Sequence, residues 1–214
     1  MTDVATTSPR REATRQKLRD AAAQTFAEVG LDAASVEAIC ERAGFTRGAF
    51  YSNYETKEEL FLDLAGEVAR ERVGVVRERV AELQREGVLA EASGRALEVV
   101  GRIVDTSNED RAGVLLMSEI RIHALRSPEL AAAYLAQEDE MVAGVAQIIA
   151  EIADGDALRF RLEPEHAARM LITAWESASV RAVMAGADQD ELCRRSNEEV
   201  ARVAQLLLEA GPTV

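Results

Sequence analysis

Aromatic residues are scarce in this sequence of 214 residues: one tryptophan, three tyrosines and five phenylalanines make up 4% of it. A core must therefore be built largely from aliphatic side chains, within an apolar content of 48%. Four prolines leave long stretches without a helix breaker, and no sustained apolar–polar alternation marks strands. The two cysteines, Cys40 and Cys193, cannot complete a zinc site, and the two histidines, His123 and His166, stand at no metal-ligand spacing. Buried free thiols are the expected state of both cysteines, and no metal or cofactor is expected. No apolar run approaches the roughly 18 residues needed to cross a bilayer. Residues 1–9 are polar and lack the apolar stretch of a signal peptide. A cytoplasmic location with no membrane partner is the expectation. Nor does the sequence hold a Ser-His-Asp pattern, a phosphate-cradling glycine loop or a paired metal site. Its carboxylates recur beside arginines at helical spacings, as solvated surface charges do, so an enzyme is not expected.

Acidic side chains outnumber basic ones 38 to 25, a net charge of −13. Spread evenly, that balance would oppose contact with a polyanion, but it is not even. Residues 10–57 hold eight basic and seven acidic side chains, whereas seventeen basic face thirty acidic ones from residue 58 onward. Charges are screened over about 8 Å at physiological salt, so a local basic surface can act despite distant acid. The asymmetry implies two domains, set here at residues 10–56 and 57–214, after a disordered arm at residues 1–9.

Helical periodicity runs through both parts. Leu18, Ala22, Thr25, Phe26 and Val29 recur at spacings of three and four, predicting a helix over residues 10–29 that stops at Gly30. Ser35 can cap a short helix carrying Val36, Ile39, Cys40 and Ala43, ended by Gly44. Thr46 can cap a second short helix to about Ser52. Thr56 with Glu59 three residues on forms a capping box for a long helix toward Leu83. Further helices are expected over residues 91–105, 108–125, 128–153 and 164–185, and from Asp188 to before Gly211. The total is about nine helices and no strand.

Two short helices joined by a glycine-containing turn make a helix-turn-helix unit. Spacing alone is weak, since many helical bundles contain such a pair. The run Phe45-Thr46-Arg47-Gly48-Ala49-Phe50-Tyr51-Ser52-Asn53-Tyr54, followed by Glu55-Thr56-Lys57-Glu58-Glu59-Leu60-Phe61, is far more specific. It closely resembles the recognition helix and next helix start of the TetR family of transcriptional regulators. Gly30, Ser35, Val36, Ile39, Ala43 and Gly44 fall where that family has equivalents, and the resemblance covers residues 11–64. It implies an all-α fold with an N-terminal three-helix DNA-binding domain and a C-terminal helical domain for ligand binding and dimerisation. The function implied is a repressor released from a palindromic double-stranded DNA operator by a small-molecule effector.

The chemistry of the side chains suggests roles within that picture. Arg47 can hold guanine O6 and N7 in a fork, or else a phosphate. Gly48 lets the backbone approach DNA or simply packs, and Ala49 can meet a thymine methyl or stay bare. Ser35 and Thr46 can cap their helices and also contact phosphate. The resemblance implies phosphate contacts for Tyr51, Asn53 and Lys57. Arg10, Arg11 and Arg15 either lie along phosphates or form a solvated basic face. The family often has a histidine or aromatic residue near Ser52 and Asn53; this sequence does not, which puts the phosphate-contact set in doubt.

For the second domain the resemblance implies an effector cavity and a four-helix interface between two copies. An adaptable, largely apolar cavity would draw on Met117, Ile120, Arg121, Tyr134, Met141, Phe160, Met170 and Trp175, which can equally be plain core. The helix from Pro164 is apolar around much of its circumference and must bury more than one face. The homodimer candidates are Leu171, Trp175, Ala178, Val183, Leu192, Val200, Val203 and Leu207, with burial inside a single chain as the alternative. A helical interaction protein without DNA binding is the rival to this reading; Arg47, Tyr51 and Lys57 count against it.

Overall fold

In the computed structural model, the described residues are 9–89, 96–104, 111–154 and 158–209. Nine helices lie among them: α1 Pro9–Ala33, α2 Val36–Ala43, α3 Arg47–Tyr51, α4 Lys57–Arg85, α5 Ala96–Val104, α6 Arg111–Ala124, α7 Pro128–Asp154, α8 Pro164–Met184 and α9 Gln189–Leu207. The only extended pairing among the described residues is an isolated antiparallel bridge between Phe160 and Leu208. Residues 1–8 of the N-terminal arm, the expected helix start at residue 108 and the stop at Gly211 lie outside the described residues, whereas Pro9 opens α1.

Helix starts follow local chemistry. Thr56 Oγ1 accepts the Glu59 amide at 3.1 Å, while the Glu59 carboxylate reaches back to the amide of Glu55 at 2.6 Å. Ser127 caps α7 by accepting from Leu130 N–H at 3.4 Å, and Asp188 caps α9 by accepting from Glu191 N–H at 2.9 Å. One helix end differs from its sequence reading. Gly30 (φ 77°, ψ 172°) interrupts α1, and a further turn continues to Ala33 beyond it. That backbone region is open almost only to glycine.

The described residues fall into two compact units. One comprises the chain up to Glu67 together with Leu115–Tyr134; the other comprises Val68–Val114 together with Leu135–Val214. In the first, α1 buries Leu18, Ala21, Ala22 and Phe26, and the Phe26 and Phe61 rings meet edge to face at 6.0 Å. The α1 stripe ends there, because Val29 stands exposed. In the second, Val80, Leu83, Val99, Ile103, Ile148 and Ile152 cluster with Ala204 and Leu208. A neighbouring cluster joins Val142 and Ile149 of α7 to Ala167 and Ala168 of α8 and Leu207 of α9.

Candidate nucleic-acid interface

The short helices α2 and α3 owe their placement to three caps. Ser35 Oγ accepts the Ala38 amide at 3.1 Å, and Thr46 Oγ1 accepts the Ala49 amide at 3.2 Å. Between them Gly44 takes the left-handed conformation (φ 73°, ψ 30°), and its N–H bonds back to the end of α2. A glycine is the residue that adopts this conformation without a Cβ penalty. Ile39 and Cys40 turn inward from α2, as does Phe50 from α3. Burial pushes the Cys40 thiol up, with Glu37 adding to the rise and Arg47 opposing it. The thiol is thus a packing group rather than a nucleophile.

A network of charges joins α1 and α4 to the residues that follow α3. Asp63 Oδ2 accepts from Arg15 at 2.9 Å, from Arg19 at 2.9 Å and from the Tyr54 hydroxyl at 2.6 Å. Arg19, itself buried, also reaches Glu12 at 2.8 Å and lies 2.7 Å from Glu67. Burial alone would push the Asp63 carboxyl up, but the bonds from Tyr54, Arg19 and Arg15 outweigh it and hold the group below its ordinary range. Tyr54 moves the other way. Burial and the bond to Asp63 push its phenol well above the ordinary value, so it stays a neutral donor.

The last turn of α1 and its exit toward α2 are tied down as well. Lys57 Nζ donates to the carbonyl oxygens of Leu31, Asp32 and Ala34 at 2.9, 3.1 and 3.1 Å. The Glu119 carboxylate of α6 accepts the Leu31 amide at 2.8 Å, and His123 Nε2 of α6 lies 3.1 Å from Asp32 Oδ1.

On this frame the side chains expected at DNA divide into two groups. Arg10, Arg11, Ser35, Thr46, Arg47, Gly48 and Tyr51 are exposed, and Ala49 is half-buried. Arg47 pairs with Glu37 of α2 at 2.6 Å, and its guanidinium stands 5.8 Å from the Tyr51 ring centroid. The Ser35 and Thr46 oxygens accept cap bonds, which leaves each hydroxyl proton available to a further acceptor. The second group is engaged internally. Arg15 bonds Asp63 and the Asn53 carbonyl and covers the Tyr54 ring at 4.4 Å. Asn53 is buried, with its amide donating to Ala49 O at 2.8 Å, and Lys57 holds the turn just described.

Sequence reasoning missed Asp63, Glu119 and Glu37. One signal was present: Arg15 and Arg19 share the phase of Ala22 and Phe26 on α1. Charges on a core-facing stripe demand partners.

The cavity candidates are placed as follows. In the first unit Ile120 is buried, Met117 is half-buried, and Arg121 Nε donates to the Tyr134 hydroxyl at 2.9 Å. In the second, Met141 is half-buried, Phe160 packs on the two core clusters, and Trp175 stacks under the Arg72 guanidinium at 4.8 Å. Met170 is exposed. Of the dimer candidates, Ala178, Val183, Leu192, Val200 and Leu207 are already buried within the single chain. They have almost no surface left to cover with a second copy, because α8 and α9 pack on one another around a buried hydroxyl pair, Ser179 and Ser196, at 2.9 Å. Leu171, Trp175 and Val203 are half-buried. Among the described residues no helix is long and apolar enough to cross a membrane.

Residues 18–64 match the family described as bacterial regulatory proteins, tetR family. The chain is 31% identical over 137 residues to the HTH-type transcriptional regulator TcmR of Streptomyces glaucescens, covering 64% of this chain and 59% of that protein. It is 41% identical over 64 residues to the HTH-type transcriptional repressor AcnR of Corynebacterium diphtheriae, covering 30% of this chain and 34% of that one. These matches thus span about three fifths and one third of the relatives' own lengths. The fold is similar to that of a TetR-family regulator from Mesorhizobium loti, with a TM-score of 0.68 and 20% identity over 94% of this chain and 100% of that one. SmeT, the repressor of a Stenotrophomonas maltophilia multidrug efflux pump, gives a TM-score of 0.61 and 24% identity over 95% of each chain.

Proposed function

We propose that the chain is a TetR-family protein and a sequence-specific DNA-binding transcriptional regulator, on the match of residues 18–64 to that family and the 31% identity to TcmR. It acts as a homodimeric repressor that a small, largely apolar effector releases from a palindromic operator. The observation that carries this reading is the presentation of α3: a five-residue helix, capped at Thr46, that exposes Arg47, Gly48 and Tyr51 together. A recognition helix enters the major groove through its N-terminal residues, and the fork of an arginine suits guanine there. Residues 10–56 read the duplex, and residues 57–214 bind the effector and join the two copies. Arg10 and Arg11 at the start of α1 lie along phosphates, as does the Tyr51 hydroxyl, whereas Arg15, Asn53 and Lys57 serve the frame.

The dimer uses the outward side of α8 and α9. Met170 and Met184 of α8 and Leu206 of α9 are exposed in the single chain, the last two at 81% and 70%. With the half-buried Leu171, Trp175 and Val203 they offer apolar surface that a two-fold interface would cover. The buried members of the earlier set hold α8 to α9 instead. Two copies must present their α3 helices about 34 Å apart to reach successive major grooves. An effector that favours another spacing weakens binding by the ratio of its affinities for the two states.

Selection of duplexes from a random pool by the purified protein tests this. The expected product is an inverted repeat bound by two chains, as read by sedimentation. Enrichment of no sequence, or binding by a monomer, overturns the proposal.

A further inference from the structure

Glu37 and Arg47 face one another across the turn of α2 and α3. Their side chains are 58% and 60% exposed, and Glu37 Oε1 lies 2.6 Å from Arg47 Nη1. Both backbones are fixed, Glu37 in the first turn of α2 behind the Ser35 cap and Arg47 at the start of α3 behind the Thr46 cap. The Tyr51 ring, 5.8 Å away, flanks the same guanidinium. An ion pair this exposed adds little to folding, on the order of 0–1 kcal/mol. Its consequence must then be sought in what the guanidinium can do.

On the reading of the previous subsection, we propose that Glu37 is a positioning residue that sets sequence specificity by buttressing Arg47. A free arginine samples many rotamers and accepts phosphate or base alike. With one terminal nitrogen engaged by a carboxylate, Arg47 favours one orientation of its remaining donors, so part of the ordering precedes DNA. Guanine, with O6 and N7 side by side, matches that fork; other bases do not. The carboxylate, itself 58% exposed beside the guanidinium, also repels phosphates that approach the pair. Duplexes that offer Arg47 no guanine leave this repulsion without compensation. Glu37 therefore lowers affinity for arbitrary DNA and raises discrimination at one base pair in each half-site.

The test compares wild type, Glu37→Gln, Arg47→Ala and the double variant on three duplexes. These are the selected site, the same site with one guanine pair changed, and a random sequence. For Glu37→Gln we expect several-fold tighter binding of the random duplex and about a tenfold loss of discrimination at the changed pair, with an unchanged thermal midpoint. In the Arg47→Ala background the same change leaves discrimination where it was. Discrimination equal to wild type in Glu37→Gln, or an equal loss with and without Arg47, overturns the buttress while leaving the regulator reading intact. A wild-type chain that enriches no duplex overturns both.

Discussion

The Glu119 carboxylate accepts the backbone N–H of Leu31 at 2.8 Å, joining α6 to the last turn of α1. Removing the acceptor leaves a peptide N–H that is only partly open to water, at a cost of about 1–3 kcal/mol. Glu119→Ala is expected to lower the urea midpoint accordingly. Glu119→Gln keeps an acceptor oxygen and recovers at least half the loss. Equal destabilisation by both variants would mean that the charge, not the bond, matters.

Asp63 makes stability depend on acid. Its carboxyl titrates lower in the folded chain than in the unfolded one, where the value is about 3.9. The unfolded state therefore binds the proton more readily. The contribution is complete above that value and is lost as pH falls through the lower folded one. Denaturant midpoints measured down to pH 2 should fall more steeply for wild type than for Asp63→Asn. At neutral pH the variant should be less stable by about 1–3 kcal/mol, since Arg15, Arg19 and Tyr54 lose a charged acceptor while Glu12 and Glu67 still face Arg19.

Gly30 and Gly44 both have positive φ, yet their alanine variants should differ. A Cβ on Gly44 meets nothing within 4 Å, so the cost is backbone strain alone, about 1 kcal/mol. Gly30 combines φ 77° with ψ 172°, a region far less open to side chains than the left-handed one of Gly44, while a Cβ there would stand in ordinary contact, 3.5 Å, with the Glu119 carboxylate. Its variant should cost about 2–3 kcal/mol. Thermal or urea unfolding of the two variants decides the order, and a larger loss at Gly44 would refute it.

Salt dependence separates the basic residues that meet DNA from those that build the frame. Each phosphate contact removed lowers the slope of log K against log salt by about 0.9. Arg10→Ala and Arg11→Ala should each reduce it by about that amount, with a loss of stability no larger than the roughly 0–1 kcal/mol of an exposed contact. Lys57→Ala should lower stability and leave the slope nearly as it was, because three carbonyl oxygens already take its protons.

Local signals were legible in the sequence. Ser35, Thr46, Thr56, Ser127 and Asp188 announce helix starts that the structure contains, since a cap needs only its own next few residues. The exposure of Arg47 and Tyr51 follows from the same short-range geometry. Pairings across the chain were not legible. Nothing near Arg15 or Tyr54 points to Asp63, and nothing near Leu31 points to Glu119, because a salt link between distant residues leaves no periodic trace. The apolar girth of α8 disclosed that several faces need cover but not what covers them. Val183 and Leu192 found their partners on neighbouring helices of the same chain.

The ammonium of Lys57 has three protons and meets three carbonyl oxygens, a match that neither a planar guanidinium nor a shorter amine can reproduce. All three bonds share one nitrogen, so a single substitution removes them together. One side chain thus moors the first residue of α4 to the backbone that leads into α2, and the bearing of both helices is set by the reach of a single lysine.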